Sequence, residues 1–185
     1  MLKIALGIST QGTIHTSTAF SIIEMIRLNK EIEFFPIMRR GGYIAENKAE
    51  EVGIAQENLC SHIFFVDHDM VFDYKALPTL LAHDKDIIGV NYNYRFLPLT
   101  KMTVEAEERS DTEPYIVKAV GGGFLLVKMK VFEKLDRPYF PMEQDEAGKR
   151  VVTEDFGFYE EARKKGFKVW CEPSITVGHE GFTIY

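Results

Sequence analysis

The sequence predicts an α/β sandwich built on a largely parallel central sheet, and three observations predict it. Apolar runs of strand length alternate with helical patterns through the first half of the chain, in the order β-α-β-α-β-α-β. At 185 residues the chain suits one domain, residues 1–185, large enough to bury a sizeable core. Hydrophobic residues make up 45% and aromatic residues 12%, more than a disordered chain carries.

The first strand is "LKIALGI", residues 2–8, followed by a loop of Ser9, Thr10, Gln11 and Gly12. A helix follows in "STAFSIIEMIRLNK", where Phe20, Ile22, Ile23 and Ile26 recur at helical spacing and Ser17 or Thr18 can cap it. "IEFFPIM" is the second strand, ending at Arg39, Arg40, Gly41 and Gly42. From Ile44 to Asn58, Ala45, Ala49, Val52 and Ala55 fall at three- and four-residue steps, a second amphipathic helix. "HIFFV" is the third strand. "KALPTLLAH" forms a short helix with Pro78 in or near its first turn, where proline is tolerated. "DIIGVNYNYR" is the fourth strand.

The second half is less regular. Residues 96–118 are polar and charged and read as a loop or hairpin. They and "MEQDEAGKR", residues 142–150, are the segments expected to order on ligand binding. "KAVGGGFLLVKMKVFEKL" gives a glycine turn, a strand and a short helix. In "TEDFGFYEEARKKGFKVWCEPSITVGHEG", Thr153 caps a helix that Gly166 ends, and a strand follows.

Composition narrows the function classes. Net charge is −6 with dispersed basic residues, which argues against a nucleic-acid partner. Cys60 and Cys171 match neither a disulfide framework nor a zinc spacing, and read as buried residues of a reduced, cytoplasmic protein. "MLKIALGIST" lacks the pattern of a secretion signal, and no apolar run reaches the ~18 residues of a transmembrane segment.

Chemistry concentrates at strand ends. "FVDHDMVF" places Asp67 and Asp69 at the carboxyl end of a strand, where open α/β sheets bind ligands. Paired carboxylates there can hold Mg²⁺ or Mn²⁺ beside phosphate oxygens, and aspartates are also common turn formers. Asp73 reads as a helix cap, and His68 points away if strand geometry persists. Glu154 and Asp155 can take a proton from a hydroxyl, or stabilise a first helical turn. His179 stands in a glycine-flanked loop, where neutral imidazole can complete a metal shell or serve structure. Gly121 to Gly123 make a turn that admits close backbone approach. Arg39, Arg40 and Lys48 can pair with diphosphate or remain solvated.

The order of these features, Asp-x-Asp, Gly-Gly-Phe, Glu-Asp on a helix and a late histidine, resembles that of GT-A glycosyltransferases over nearly the whole chain. The resemblance implies the three-layer nucleotide-diphospho-sugar transferase fold. It makes Asp69 the direct ligand of Mn²⁺ or Mg²⁺, Asp67 a ribose or metal contact, and His179 a member of the metal shell. In inverting members the Glu-Asp pair supplies the base, here Asp155, with Glu154 as helper or alternative. Gly122 and Gly123 line the acceptor side. Ser9, Thr10, Arg40 and Asn47 fall on the donor side, with Glu46 where related chains carry arginine. The implied donor is a nucleotide-diphosphate sugar, uridine being the favoured base because many related metal-dependent enzymes use it. The acceptor class, glycan, lipid-linked or protein, stays open. Two alternatives stand beside this reading. One is a nucleotidyltransferase, for which "GISTQGTIH" lacks the expected lysine-bearing glycine loop. The other is a sugar-nucleotide-binding module without turnover.

Overall fold

A computed structural model describes residues 1–93, 106, 108–144, 146–147 and 150–181. Among the described residues, three helices alternate with strands through the first half as the hydrophobic pattern predicts. They are β1 (Leu2–Thr10), α1 (Thr16–Leu28), β2 (Ile32–Arg40), α2 (Ile44–Glu57), β3 (His62–Val66), β4 (Met70–Phe72), α3 (Ala76–Ala82) and β5 (Ile87–Val90). The second half adds β6 (Tyr115–Val117), β7 (Phe124–Lys128), α4 (Met129–Phe132), β8 (Glu143–Gln144), β9 (Arg150–Val152), α5 (Glu154–Lys164), β10 (Val169–Glu172) and β11 (Val177–His179).

The main sheet has seven strands in the order β2-β1-β3-β7-β5-β10-β6. β1 pairs in parallel with β2 and β3, and β10 with β5; β7 runs antiparallel between β3 and β5, and β6 antiparallel along β10. Five strands therefore share one direction, and their carboxyl ends lie on one side of the molecule. β2 is an edge strand, which is why it tolerates Pro36, a residue that cannot donate to a ladder on its second side.

Side chains alternate across the sheet with period two. Ala5, Ile63, Phe65, Ile87, Leu125 and Val127 face one layer, with α2, α4 and α5. Ile4, Leu6, Phe64, Val66, Ile88 and Leu126 face the other, with α1 and α3. Each large apolar side chain so buried contributes about 1.5–3 kcal/mol, which fixes strand register. Cys60 and Cys171 are both buried, as expected.

Helix ends follow local chemistry. α5 starts at Glu154 after Thr153, and Gly166 at φ 87 closes it: Gly166 N–H donates to Arg163 O (2.9 Å) and Phe167 N–H to Ala162 O (3.0 Å). Pro78 sits in the first turn of α3. Two expectations differ. α1 starts two to three residues earlier than expected, with His15 rather than Ser17 or Thr18 at the cap position, and Thr18 is fully buried inside the helix. Asp73 caps no helix directly; Lys75 precedes α3, and Asp73 Oδ1 accepts the Lys75 N–H (2.8 Å) in the turn before it.

Of the segment 96–118, residues 96–105 and 107 lie outside the described residues, as do 145, 148 and 149 of the segment 142–150. The parts described include β6, β8 and the start of β9. No helix among the described residues is long and apolar enough to cross a membrane.

Candidate active site

The carboxyl ends of β1 and β3 and the start of α2 enclose a cleft of about 390 Å³ lined by Ser9, Thr10, Asn47, Asp67 and Asp69, together with His15 and His68. Four of the residues expected on the donor side, Ser9, Thr10, Asn47 and Asp67, thus share one cavity. Thr10 spends its hydroxyl on the loop: Oγ1 accepts from the Gly12 and Thr13 N–H groups, both at 3.1 Å, and donates to Thr13 O. Asn47 is buried, and its Nδ2 has no hydrogen-bond partner among the described residues. Arg40 stands apart, in an adjoining groove with Gln11, Gly41 and Gly42. Arg39 pairs with Glu50 on α2 instead of facing the cleft.

The loop expected around His179 is a strand. β11 pairs antiparallel with β4, setting His179 opposite Met70, and Glu180 N–H donates to Asp69 O at 2.9 Å. His179 Nε2 consequently lies 3.5 Å from Asp69 Oδ1. The carbonyl of Asn93 faces His179 Nδ1 at 2.9 Å, and a carbonyl only accepts, so the proton of the neutral ring sits on Nδ1. Nε2 and a carboxylate oxygen then converge as two electron-pair donors. That donor set fits a Mn²⁺ or Mg²⁺ ion in its chemistry. Among the described residues no three His, Cys, Asp or Glu side chains form a ready-made metal cluster: Asp67 shares the cleft with Asp69, and the Asp69–His179 pair is not completed to a triad.

The glycine turn before β7 joins the two halves of the site. A Cβ on Gly122 would fall 2.1 Å from Asp155 Oδ1, and one on Gly123 would fall 2.4 Å from Asp67 Oδ2. Only glycine lets both carboxylates approach this backbone. Gly122 N–H donates to Asp155 Oδ2 (3.1 Å), Gly123 N–H to the Tyr92 hydroxyl (2.9 Å), and Asp67 N–H to Gly123 O (2.8 Å). Glu154, the first residue of α5, is half-buried beside Asp155.

Lys48 does not face the cleft as a free cation. Its buried ammonium donates to Asp155 Oδ1 at 2.6 Å and to Gly122 O at 3.3 Å. Burial opposes that charge, but the carboxylates of Asp155 and Asp67 outweigh it and hold the ammonium above its ordinary pKa. Burial likewise raises Asp67, with Lys48 opposing the shift. Glu51, one turn along α2, accepts from Ser9 Oγ at 3.0 Å; burial pushes its carboxyl up to about 8 against the Ser9 hydrogen bond and the Lys48 charge. Sequence reasoning missed the Lys48 and Glu51 contacts, although a signal existed. Both fall on the stripe of α2 that carries Ala45, Val52 and Ala55, where a charged residue must find a partner.

No protein-family model matches the chain. No curated protein matches it either. Solved structures do. A197 from STIV aligns with a TM-score of 0.69 at 17% identity, over 98% of this chain and 87% of that one. GalNAc-T7, solved with UDP, GalNAc and Mn2+, aligns at 0.62 and 12% identity over 97% of this chain and 44% of that one. A UDP-glucose pyrophosphorylase complexed with UDP-glucose aligns at 0.57 and 10% identity, over 96% and 92%. At these identities the likeness is one of fold: this chain has the α/β architecture that GT-A glycosyltransferases share with sugar nucleotidyltransferases.

Proposed function

We propose that the protein is a metal-dependent glycosyltransferase that moves a sugar from a nucleotide-diphosphate donor, UDP-linked in the favoured case, to an acceptor hydroxyl with inversion. The observation that carries this reading is the double glycine turn. It brings Asp67, which lines the cleft and is read as donor-side, and Asp155, read as acceptor-side, against consecutive backbone residues. Ser9, Thr10 and Asn47 line the cleft where nucleoside would lie, with Arg40 in the groove beside it.

Asp69 and His179, with Asp67 beside them, are the residues that would hold Mn²⁺ or Mg²⁺. Bound there, such an ion would supply positive charge against the nucleoside diphosphate. Asp155 is the base. Lys48 and Gly122 N–H each occupy one lone pair on its two oxygens, which fixes the carboxylate while leaving further lone pairs for the acceptor proton. The acceptor oxygen bonds to the anomeric carbon as the bond to the diphosphate breaks, and the proton passes to Asp155. Glu154, the neighbouring residue on α5, is the helper or alternative.

A second reading, sugar nucleotidyl transfer, is supported by the likeness to UDP-glucose pyrophosphorylase across nearly both chains. The absence of lysine from "GISTQGTIH" weighs against it. Incubation with UDP-sugars and Mn²⁺ separates the two. Transfer releases UDP and disappears in Asp69→Ala, whereas pyrophosphate release from UTP and a sugar 1-phosphate would establish the second reading. Nucleotide binding without either product would leave a binding module.

A further inference from the structure

The turn before β7 is glycine at 121, 122 and 123, and the two carboxylates account for only the last two. Gly121 makes room for Tyr92 instead: a Cβ there would fall 2.4 Å from the phenolic oxygen. Tyr92 lies two residues past the carboxyl end of β5, on the side of the sheet where Asp67 follows β3, and is 2% exposed.

Its side chain meets both halves of the site. The hydroxyl accepts from Gly123 N–H at 2.9 Å, and Gly123 O in turn accepts from Asp67 N–H at 2.8 Å. The preceding amide, Gly122 N–H, donates to Asp155 Oδ2 at 3.1 Å, so consecutive amides of the turn are tied to Asp155 and to Tyr92. The Tyr92 ring meets the His179 imidazole edge to face, with centroids 5.3 Å apart, and the carbonyl of the next residue, Asn93, faces His179 Nδ1 at 2.9 Å. Packing alone does not account for the hydroxyl. Tyr92 belongs to the apolar layer that holds Val66, Val90 and Phe124, where phenylalanine would bury the same ring. A buried hydroxyl is costly unless it is hydrogen-bonded, and this one finds its partner in the turn.

We propose that Tyr92 is a positioning residue for the transfer reaction: through Gly123 it holds the turn so that Gly122 N–H aims at Asp155, and through its ring it holds the imidazole of His179. The inference rests on the glycosyl-transfer reading and deepens it. Tyr92 acts through the turn and the histidine, not on the reacting atoms. A turn that relaxes lets the base drift from its place, and such misplacement lowers rate rather than donor affinity.

The test compares Tyr92→Phe and Tyr92→Leu with wild type in two measurements. The first is UDP release from UDP-glucose and UDP-GalNAc with Mn²⁺, water serving as acceptor, with kcat and KM taken per folded molecule. Tyr92→Phe keeps the ring and removes the acceptor of Gly123 N–H, so kcat should fall about tenfold with KM unchanged, the rate equivalent of one hydrogen bond. Tyr92→Leu also loses the ring against His179, and its KM should rise as well. The second measurement is hydrogen exchange of the Gly122 and Gly123 amides without ligand, which should be about tenfold faster at both in Tyr92→Phe. Faster exchange at Gly123 alone, with kcat equal to wild type, overturns the inference, because the hydroxyl then satisfies one amide and positions nothing. A loss of folded protein with kcat and KM per folded molecule preserved also overturns it. A wild type that releases no UDP from either donor overturns the glycosyl-transfer reading, while faster Gly122 exchange in Tyr92→Phe still supports the hold of Tyr92 on the turn.

Discussion

Glu51 is fully buried on α2, with one carboxyl oxygen on Ser9 and the other without a hydrogen-bond partner among the described residues. Gly7 makes room for it, since a Cβ there would lie 2.8 Å from Oε2. Burial lifts its pKa from an ordinary 4.5 to about 8. Between those values the folded protein keeps a proton that the unfolded chain releases, so stability falls as pH rises through the window and levels off above it. One such group gives a slope of at most about 1.4 kcal/mol per pH unit. Urea unfolding of wild type across this window should show that decline, and Glu51→Gln, neutral throughout, should flatten it. Parallel slopes for the two proteins would place the pH response elsewhere. The same carboxyl marks the limit of what residues disclose by order alone. Asp67, Asp69, Asp155, the glycine pair and His179 are legible because a resemblance gives their sequence of types a meaning. Glu51 and Lys48 belong to no motif, and only their positions on the apolar stripe of a helix mark them as buried.

At the level of elements, the end of α2 repeats the geometry that ends α5, without its glycine. Leu59 N–H donates to Gln56 O and Cys60 N–H to Ala55 O, both at 3.0 Å, and Leu59 takes φ 54. A leucine pays sterically for left-handed backbone, and this one is 87% exposed, so its side chain returns little packing. Leu59→Gly is therefore expected to stabilise the protein by about 1 kcal/mol in chemical denaturation, the cost of a left-handed non-glycine residue. A loss of stability would mean that the greater freedom of glycine in the unfolded chain outweighs relief of that strain. Sequence made Gly166 visible as a helix end and left Leu59 silent, because residue type signals a left-handed turn only when it is the type that suits one. Short strands were hidden for a different reason. β4 and β11 have three residues each, too few for a periodic signal, and they pair across more than a hundred positions of sequence.

Among the described residues a seven-stranded sheet stands beside two two-stranded ribbons, β4–β11 and β8–β9, and the large sheet and the first ribbon divide the labour. The seven-stranded sheet carries most of both apolar layers, while the β4–β11 ribbon adds Met70, Phe72 and Val177 to one of them and sets His179 beside Asp69. Fold and binding should accordingly come apart on truncation. A variant ending at Thr176 removes β11, whose buried core contact is Val177, and should lose about 2 kcal/mol, the worth of one buried valine and its ladder, while still unfolding cooperatively. Its response to ligand should change far more. A nucleotide at a hundred times its dissociation constant stabilises the intact protein by about 2.7 kcal/mol. With UDP and Mn²⁺ the truncated variant should show none of this, and His179→Ala in the full chain should lose the Mn²⁺-dependent part while keeping the native unfolding midpoint without ligand. If the truncated protein keeps the full Mn²⁺-dependent shift, the metal ligands lie on β3 and the turn after it alone, and the ribbon is packing. If His179→Ala matches the truncation in binding and the wild type in stability, the late histidine acts through the ion rather than through the fold.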